Sequence, residues 1–372
     1  MAAVYLDYNA TAPVRPQVIE AVARTMSTVG NPSSIHGPGR KAKNLVEKAR
    51  EQVAALVGAR ARDVIFTSGG TEANNQALAS AAHRPTFISP IEHDSVLGAA
   101  PTAATLRVDS DGLLDLDYLE TCLKNSEPAL VSVMAANNET GVVQPLSQIA
   151  DLVHEHSGLF HCDGVQAAGK MPFNKQDWGV DLLSLSSHKF GGPQGVGALI
   201  LGPGTECPSL LKGGGQERSR RAGTENVAGI VGFGLAAEIA LNELSEFQKL
   251  ETFKDKLEQG LKNLSNSLLI FSEHAPRTVN TTCFSWPVMA AEKLLIQLDL
   301  ASMAVSSGSA CSSGKVKSSH VLSAMGVGAD LAGSAIRISI GWDTKPEDID
   351  QFLEAFGKIV DRNNRKVSSE TN

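Results

Sequence analysis

Between residues 64 and 202 short apolar runs alternate with amphipathic helical stretches, and this alternation limits the fold more than any other feature. "VIFTS" (64–68) leads through Gly69-Gly70 into "TEANNQALASAA", and "TFISP" (86–90) follows. Then come "ALVSVMAAN" (129–137), the helix-like "LSQIADLVHEH", "LFHCD" (159–163), "DLLSLSS" (181–187) and "GALILG" (197–202). Strands interleaved with helices of this length predict an α/β fold with a mostly parallel, doubly wound sheet. In such a sheet the ligand sits beyond the carboxyl ends of the strands. Thr67-Ser68-Gly69, Asn137-Asn138, Asp163 and His188-Lys189 all fall at such ends.

At 372 residues the chain is too long for one ordinary core, which predicts a large domain and a smaller one. From about Glu225 a long helical pattern leads into a segment of different texture, with "NTTCFSW", "KLLIQLDL", "AIRISIG" and "DIDQFLEAFGKIV". The expected division is a large domain over 16–250 and a small α+β domain over 251–372, with residues 1–15 packing against the latter. A net charge of −7 argues against nucleic-acid binding. The start "MAAVYLDYNATAP" has no basic n-region, and no window approaches 18 uninterrupted apolar residues, so neither a signal peptide nor a membrane span is expected. The five cysteines are odd in number and form no CxxC pair. That pattern suits a reducing cytoplasm, with room for one reactive thiol.

Three tempting chemistries fail on mechanism. "GGPQGVG" does not match GxGxxG, and a strand-like run follows where a dinucleotide site needs a helix. "SGGTEANN" lacks the Gly-Lys-Ser/Thr ending of a nucleotide-binding P-loop. "HEHSGLFHCD" offers metal-ligand types, but residues two apart on a helix diverge, and on a strand Cys162 faces away from His161 and Asp163; no metal site is expected.

"SGGTEAN" has a better use. A strand ends, two glycines let the backbone turn closely, and Thr71 opens a helix whose free N–H groups and positive dipole end attract an anion. An ordinary helix start looks the same, so the pairing with Lys189 at another strand end carries the argument. Together they suggest a phosphate-bearing cofactor that a lysine holds covalently, for which pyridoxal phosphate is the economical candidate. Asp163 suits the acid that such a cofactor needs against its ring nitrogen, although an aspartate there can also simply cap a turn. A lysine amine with a pKa of about 10.4 is a poor nucleophile at neutral pH, whereas desolvation and a nearby cation lower that value.

With these residues assembled, the chain resembles the NifS/IscS-type cysteine desulfurases of the class V aminotransferase group, pyridoxal-phosphate enzymes of fold type I. The resemblance runs from "YLDYNATAP" to "AIRISIG" and includes "NPSSIHGPGR", "FTSGGTEANN", "EHDSV", "NNETGVVQP", "HCDGVQAAGK", "SHK", "GGGQERSRRAGTENV" and "SSGSACSSG". It implies that Lys189 is the Schiff-base lysine and Asp163 the partner of the pyridine nitrogen. Gln166 is similar to the residue that hydrogen-bonds the phenolic oxygen, and His93 to the imidazole stacked on the ring. Gly70, Thr71, Ser186 and His188 match phosphate ligands. Thr224 matches the phosphate contact given by a neighbouring subunit, which implies a homodimer. Asn138 and Arg337 match residues that hold the substrate carboxylate, a task suited to a planar guanidinium.

Cys311 names the reaction. Its surroundings, "SSGSACSSG", contain almost no large side chain to bury a thiol. The resemblance implies that Cys311 takes sulfur from L-cysteine as a persulfide and that alanine leaves. The sulfur then serves iron–sulfur cluster assembly or another donor pathway through an acceptor protein. The chain ends soon after "FGKIVDRNN", shorter than members that dock a scaffold protein there, and Ser187 stands where glycine is frequent. A selenocysteine lyase or generalist, a plain pyridoxal-phosphate aminotransferase and a non-catalytic sulfur-assembly partner stay open as alternatives.

Overall fold

The computed structural model describes residues 3–175, 177–307 and 319–370, the last five of these by backbone alone. The chain begins with a two-residue strand, β1 (Val4–Tyr5). Helices α1 (Pro16–Met26) and α2 (Gly37–Leu56) then precede the central sheet. That sheet has seven strands: β2 (Val64–Thr67), β3 (Thr86–Ile88), β4 (Ala104–Thr105), β5 (Leu130–Ser132), β6 (Leu159–Asp163), β7 (Leu182–Ser186) and β8 (Gly197–Leu201). Their spatial order is β2-β8-β7-β6-β5-β3-β4. Every pairing is parallel except those of β8, which runs antiparallel to both β2 and β7. Every apolar run read as a strand in the sequence contains a strand here; β6 fills its run 159–163 completely, whereas β5 keeps only Leu130–Ser132 of the run 129–137.

The sheet is apolar on both faces, as a parallel sheet covered by helices must be. Phe66, Phe160, Leu183, Leu185 and Ile200 meet Val46 and Val53 of α2 and Phe233 of the helix Val227–Asn242. On the opposite face Ile65, Leu130, Leu182 and Leu199 meet Ala73 and Ala77 of α3 (Gly70–Ser80). Truncating a ring such as that of Phe160, fully enclosed, costs about 3–5 kcal/mol. A small polar group, Ser132, His161 and Ser184, sits inside this sheet. His161 hydrogen-bonds Ser132 Oγ at 2.8 Å and Ser184 Oγ at 3.0 Å, and burial pushes its pKa down to about 4, so it is a neutral interior group.

A second sheet holds β9 (Leu269–Ile270), β10 (Thr281–Ser285), β12 (Ser306–Ser307) and β13 (Ala335–Ser339), all antiparallel in the order β12-β13-β10-β9. β11 (Met303–Ala304) pairs in parallel with β1, and Val4 and Leu6 join the aromatic cluster of Phe284, Trp286, Phe352 and Phe356. From there the first residues cross to the large sheet, where Ala12 N donates to His188 O at 2.8 Å. That crossing lays Asn9 and Ala10 along the carboxyl ends of the large sheet. Among the described residues no single helix is long and apolar enough to cross a membrane.

Candidate active site

Asn138, Asp163, His188 and Lys189 from the strand ends named above line one cavity of about 330 Å³, together with Gly70 and Thr71 that follow β2. Two glycines make the approach of its walls possible. A Cβ on Gly70 would lie 2.9 Å from Val165 Cγ2, and one on Gly197 would lie 2.6 Å from the carbonyl carbon of Gly69. With hydrogen at both places, the β2–α3 turn presses against β6 and β8. The first turn of α3, with Gly70 and Thr71, therefore opens onto the cavity beside Ser186 and His188. This is the donor set an anion needs.

Lys189 follows β7 in a single 3₁₀ turn, Ser187–Lys189. Its Nζ donates to the carbonyls of Asn9 at 2.6 Å and Ala10 at 2.9 Å. Burial and then the Arg337 cation lower its pKa to about 8, against the opposing pull of Asp163 and Asp7. The neighbouring His188 imidazole is lowered to about 4 by burial and by the Lys189 and Lys170 charges; its Nδ1 lies 3.1 Å from Thr11 Oγ1.

Asp163 ends β6 in a buried position. Asn74 Nδ2 donates to its Oδ2 at 2.7 Å and Val165 N to its Oδ1 at 2.9 Å, which fixes the plane of the carboxylate. Asn74 Nδ2 also reaches Ser95 Oγ at 2.9 Å, and Ser95 Oγ lies 2.8 Å from His93 Nδ1. Ser95 N donates to that same Nδ1 at 3.1 Å, so Nδ1 is an acceptor and a neutral His93 carries its proton on Nε2. His93 and Asp163 thus hang from one polar chain.

Arg337, on β13, is almost fully enclosed. Nη1 donates to Asn138 O at 3.0 Å and Nη2 to Asp7 Oδ1 at 2.7 Å, while Nε is buried without a partner among the described residues. An unpaired buried guanidinium N–H is expensive unless an acceptor reaches it, and Arg337 lines the cavity. Asn138 and Gln166 line the same cavity.

Ten of the twelve residues singled out from the sequence thus share one cavity: Lys189, Asp163, Gln166, His93, Gly70, Thr71, Ser186, His188, Asn138 and Arg337. Thr224 does not join them. It is exposed and lines a separate hollow with Thr67, Ser68, Glu217 and Arg221. Cys311 lies outside the described residues. The sequence reading missed Asn9, Asn74 and Ser95. Asn74 stands three residues after Thr71, on the same helical face, and could have been found that way.

An open α/β sheet with a buried lysine, an acid and an anion cradle at its strand ends defines a class of cofactor enzyme. The chain belongs to the class-V aminotransferase family, which it matches over residues 4–352. Within that family it groups with cysteine desulfurases. Cysteine desulfurase IscS of Dictyoglomus turgidum is 40% identical over 96% of this chain and 95% of its own length. The cysteine desulfurase of Cereibacter sphaeroides is 41% identical over 97% of each. Among solved structures, the NifS-like protein of Rickettsia africae superposes with a TM-score of 0.91 at 40% identity, covering 96% of this chain and 99% of that one. SspA in complex with cysteine superposes with a TM-score of 0.78 at 30% identity, covering 90% and 98%.

Proposed function

We propose that this chain is a pyridoxal 5′-phosphate-dependent cysteine desulfurase that converts L-cysteine to L-alanine and passes the sulfur to Cys311 as a persulfide. The observation that carries the reading is the meeting of a semi-buried amine, Lys189, with Asp163 and an unsatisfied Arg337 N–H in a cavity that opens on a helix start. The residues fit the cofactor: α3 and Ser186 would take its phosphate, Asp163 its ring nitrogen, His93 a face of the ring and Gln166 its ring oxygen. When bound, the cofactor supplies a carbonyl carbon that takes an amine covalently and a ring that withdraws electrons from the substrate's α-carbon.

The remaining steps belong to the chain's own groups. Arg337 Nε and the Asn138 side chain hold the substrate carboxylate, which fixes the α-carbon toward Lys189. With its pKa near 8, Lys189 Nζ is neutral often enough at physiological pH to take the α-proton and return it. Cys311 attacks the substrate sulfur as the thiolate, so that its S–S bond forms as the substrate C–S bond breaks. The carbon keeps the bonding pair, gains a proton and leaves as alanine. The proton held on Lys189 Nζ is a source for it, since a neutral His93 that gave up its Nε2–H would be left as an imidazolate.

Thr224, exposed and apart from the cavity, favours a homodimer in which each subunit lends this residue to its neighbour's phosphate. The described cysteines are all free thiols, which suits a reducing cytoplasm. A division into a large domain over 16–250 and a small one over 251–372, with residues 1–15 on the latter, accords with the separate clusters around Phe160 and Phe284. A direct test incubates the purified holoprotein with L-cysteine or L-selenocysteine and a thiol reductant. Alanine and sulfide formed in equal amounts from cysteine are expected. Turnover of selenocysteine alone would make the chain a lyase for that amino acid instead.

A further inference from the structure

Beside the reactive lysine lies a second one that the reaction above leaves without a task. Lys170 is buried, and its Nζ donates to Gln166 Oε1 at 2.5 Å and to Asn9 Oδ1 at 3.0 Å. Among the described residues it has no carboxylate partner. Burial, with the Lys189 and Arg337 charges close by, drives its pKa well down. Among the described residues its N–H groups meet these two oxygens.

That arrangement has a directional consequence. An Asn or Gln amide can turn either end toward a neighbour, and the choice is set by what the neighbour offers. Lys170 offers N–H to both amides, so both point an oxygen at it. Gln166 must then turn its NH2 the other way, where one N–H reaches Asn9 O at 3.0 Å, the carbonyl that also receives Lys189 Nζ. The second N–H is left for the cavity. Asn9 is polarised in the same sense. Its Oδ1 also accepts from Asn280 Nδ2 at 3.1 Å, and its Nδ2 donates to Asn138 O at 3.1 Å and Thr281 Oγ1 at 2.9 Å.

We propose that Lys170 is a positioning residue: it locks the amides of Gln166 and Asn9 so that Gln166 presents an N–H, never an oxygen, to the cofactor's ring oxygen. The proposal rests on the cofactor reading given above. It explains why a lysine, the side chain least suited to burial, stands at this place with no countercharge. A hydroxyl or amide there could accept as well as donate and would leave Gln166 free to flip.

The test reads the pH midpoint of the bound cofactor's absorbance rather than turnover. An N–H at the ring oxygen favours its ionised form, so freeing Gln166 to flip raises the midpoint. Lys170→Met is expected to raise it by about 1 pH unit, the size of one hydrogen bond. The groups that also face Lys189, namely Asp163, Asp7 and Arg337, are unchanged in that comparison. The same substitution placed on Gln166→Ala is expected to add no further shift. An unchanged midpoint in Lys170→Met overturns the proposal. So does a shift of full size on the Gln166→Ala background, because Lys170 would then act by its charge alone. If the Met variant does not fold, Lys170→Gln is expected to give a partial rise, and no rise there counts against the proposal equally. A wild-type protein that takes up no pyridoxal phosphate would remove the cofactor reading itself, and this proposal with it.

Discussion

Lys189 illustrates how the fold prepares one side chain for chemistry. An exposed lysine is almost wholly protonated at pH 7.5, with a pKa of about 10.4. Here enclosure and the Arg337 cation outweigh the attraction of Asp163 and Asp7, and the pKa falls to about 8. Apoprotein labelled with a small aldehyde is therefore expected to react with a pH midpoint near 8, and Lys189→Met is expected to abolish that phase. The same shift bears on stability with a definite sign. Between pH 8 and about 10.4 the unfolded chain binds more protons at this residue than the folded one, so the apoprotein gains stability as pH rises through that window. Lys189→Met removes that share of the gain, which urea titrations at pH 8 and 10 would register. Lys189 and Asp163 were legible in the sequence because each ends an apolar run, where a charge stands out. Asn9, Ser95 and Lys170 were not, because their roles arise from contacts with residues distant in the chain. Asn9 alone reaches Asn138, Lys170, Lys189, Asn280 and Ser339.

At the scale of elements the segment around Thr224 is held under strain. Glu217, Arg218 and Ser219 stand consecutively at φ of 45°, 56° and 63°, a left-handed run that non-glycine residues rarely adopt. Arg50 of α2 pins the run, pairing with both oxygens of Glu217 at 2.6 and 2.8 Å, and Glu217 also accepts from Phe66 N at 3.0 Å. Arg221 grips Glu72 at 2.8 and 3.2 Å, and Glu72 accepts from Ser68 N at 2.7 Å. The segment that ends in Thr224 is thus fastened to α2 by the Arg50–Glu217 pair and, by the Arg221–Glu72 pair, to the start of α3 that opens on the cavity. Both partners of the Arg50–Glu217 pair are buried, so Glu217→Ala strands a guanidinium. Its expected loss of stability is about 3 kcal/mol, read as a lower urea midpoint. Three glycines precede this segment, and sequence reasoning would have put unusual backbone there rather than at Glu217. The central strands were readable from their continuous apolar runs. β1, β4, β9, β11 and β12 are two residues each, too short to show a period, and only pairing defines them.

For the molecule as a whole, the cavity draws on both sheets. Arg337 comes from the four-stranded sheet, Lys189 and Asp163 from the seven-stranded one, and Asn9 from the segment that joins them. If Thr224 serves the neighbouring subunit, two crippled proteins should mend each other. Lys189→Ala keeps Thr224 but has no anchoring amine, and Thr224→Val keeps the amine but lends nothing. Mixed dimers of the two are expected to regain one site per pair, with cofactor retention and turnover above those of either parent after subunit exchange. No recovery in dimers shown to be mixed would contradict the sharing.

The central claim, sulfur passing through Cys311, is tested most directly by the mass of the peptide that contains it. The holoprotein is given L-cysteine without reductant, digested, and its alanine counted alongside. One added sulfur atom on the Cys311 peptide for each first-turnover alanine is the predicted result. Alanine released while that peptide keeps its original mass, or released undiminished by Cys311→Ser, would contradict it.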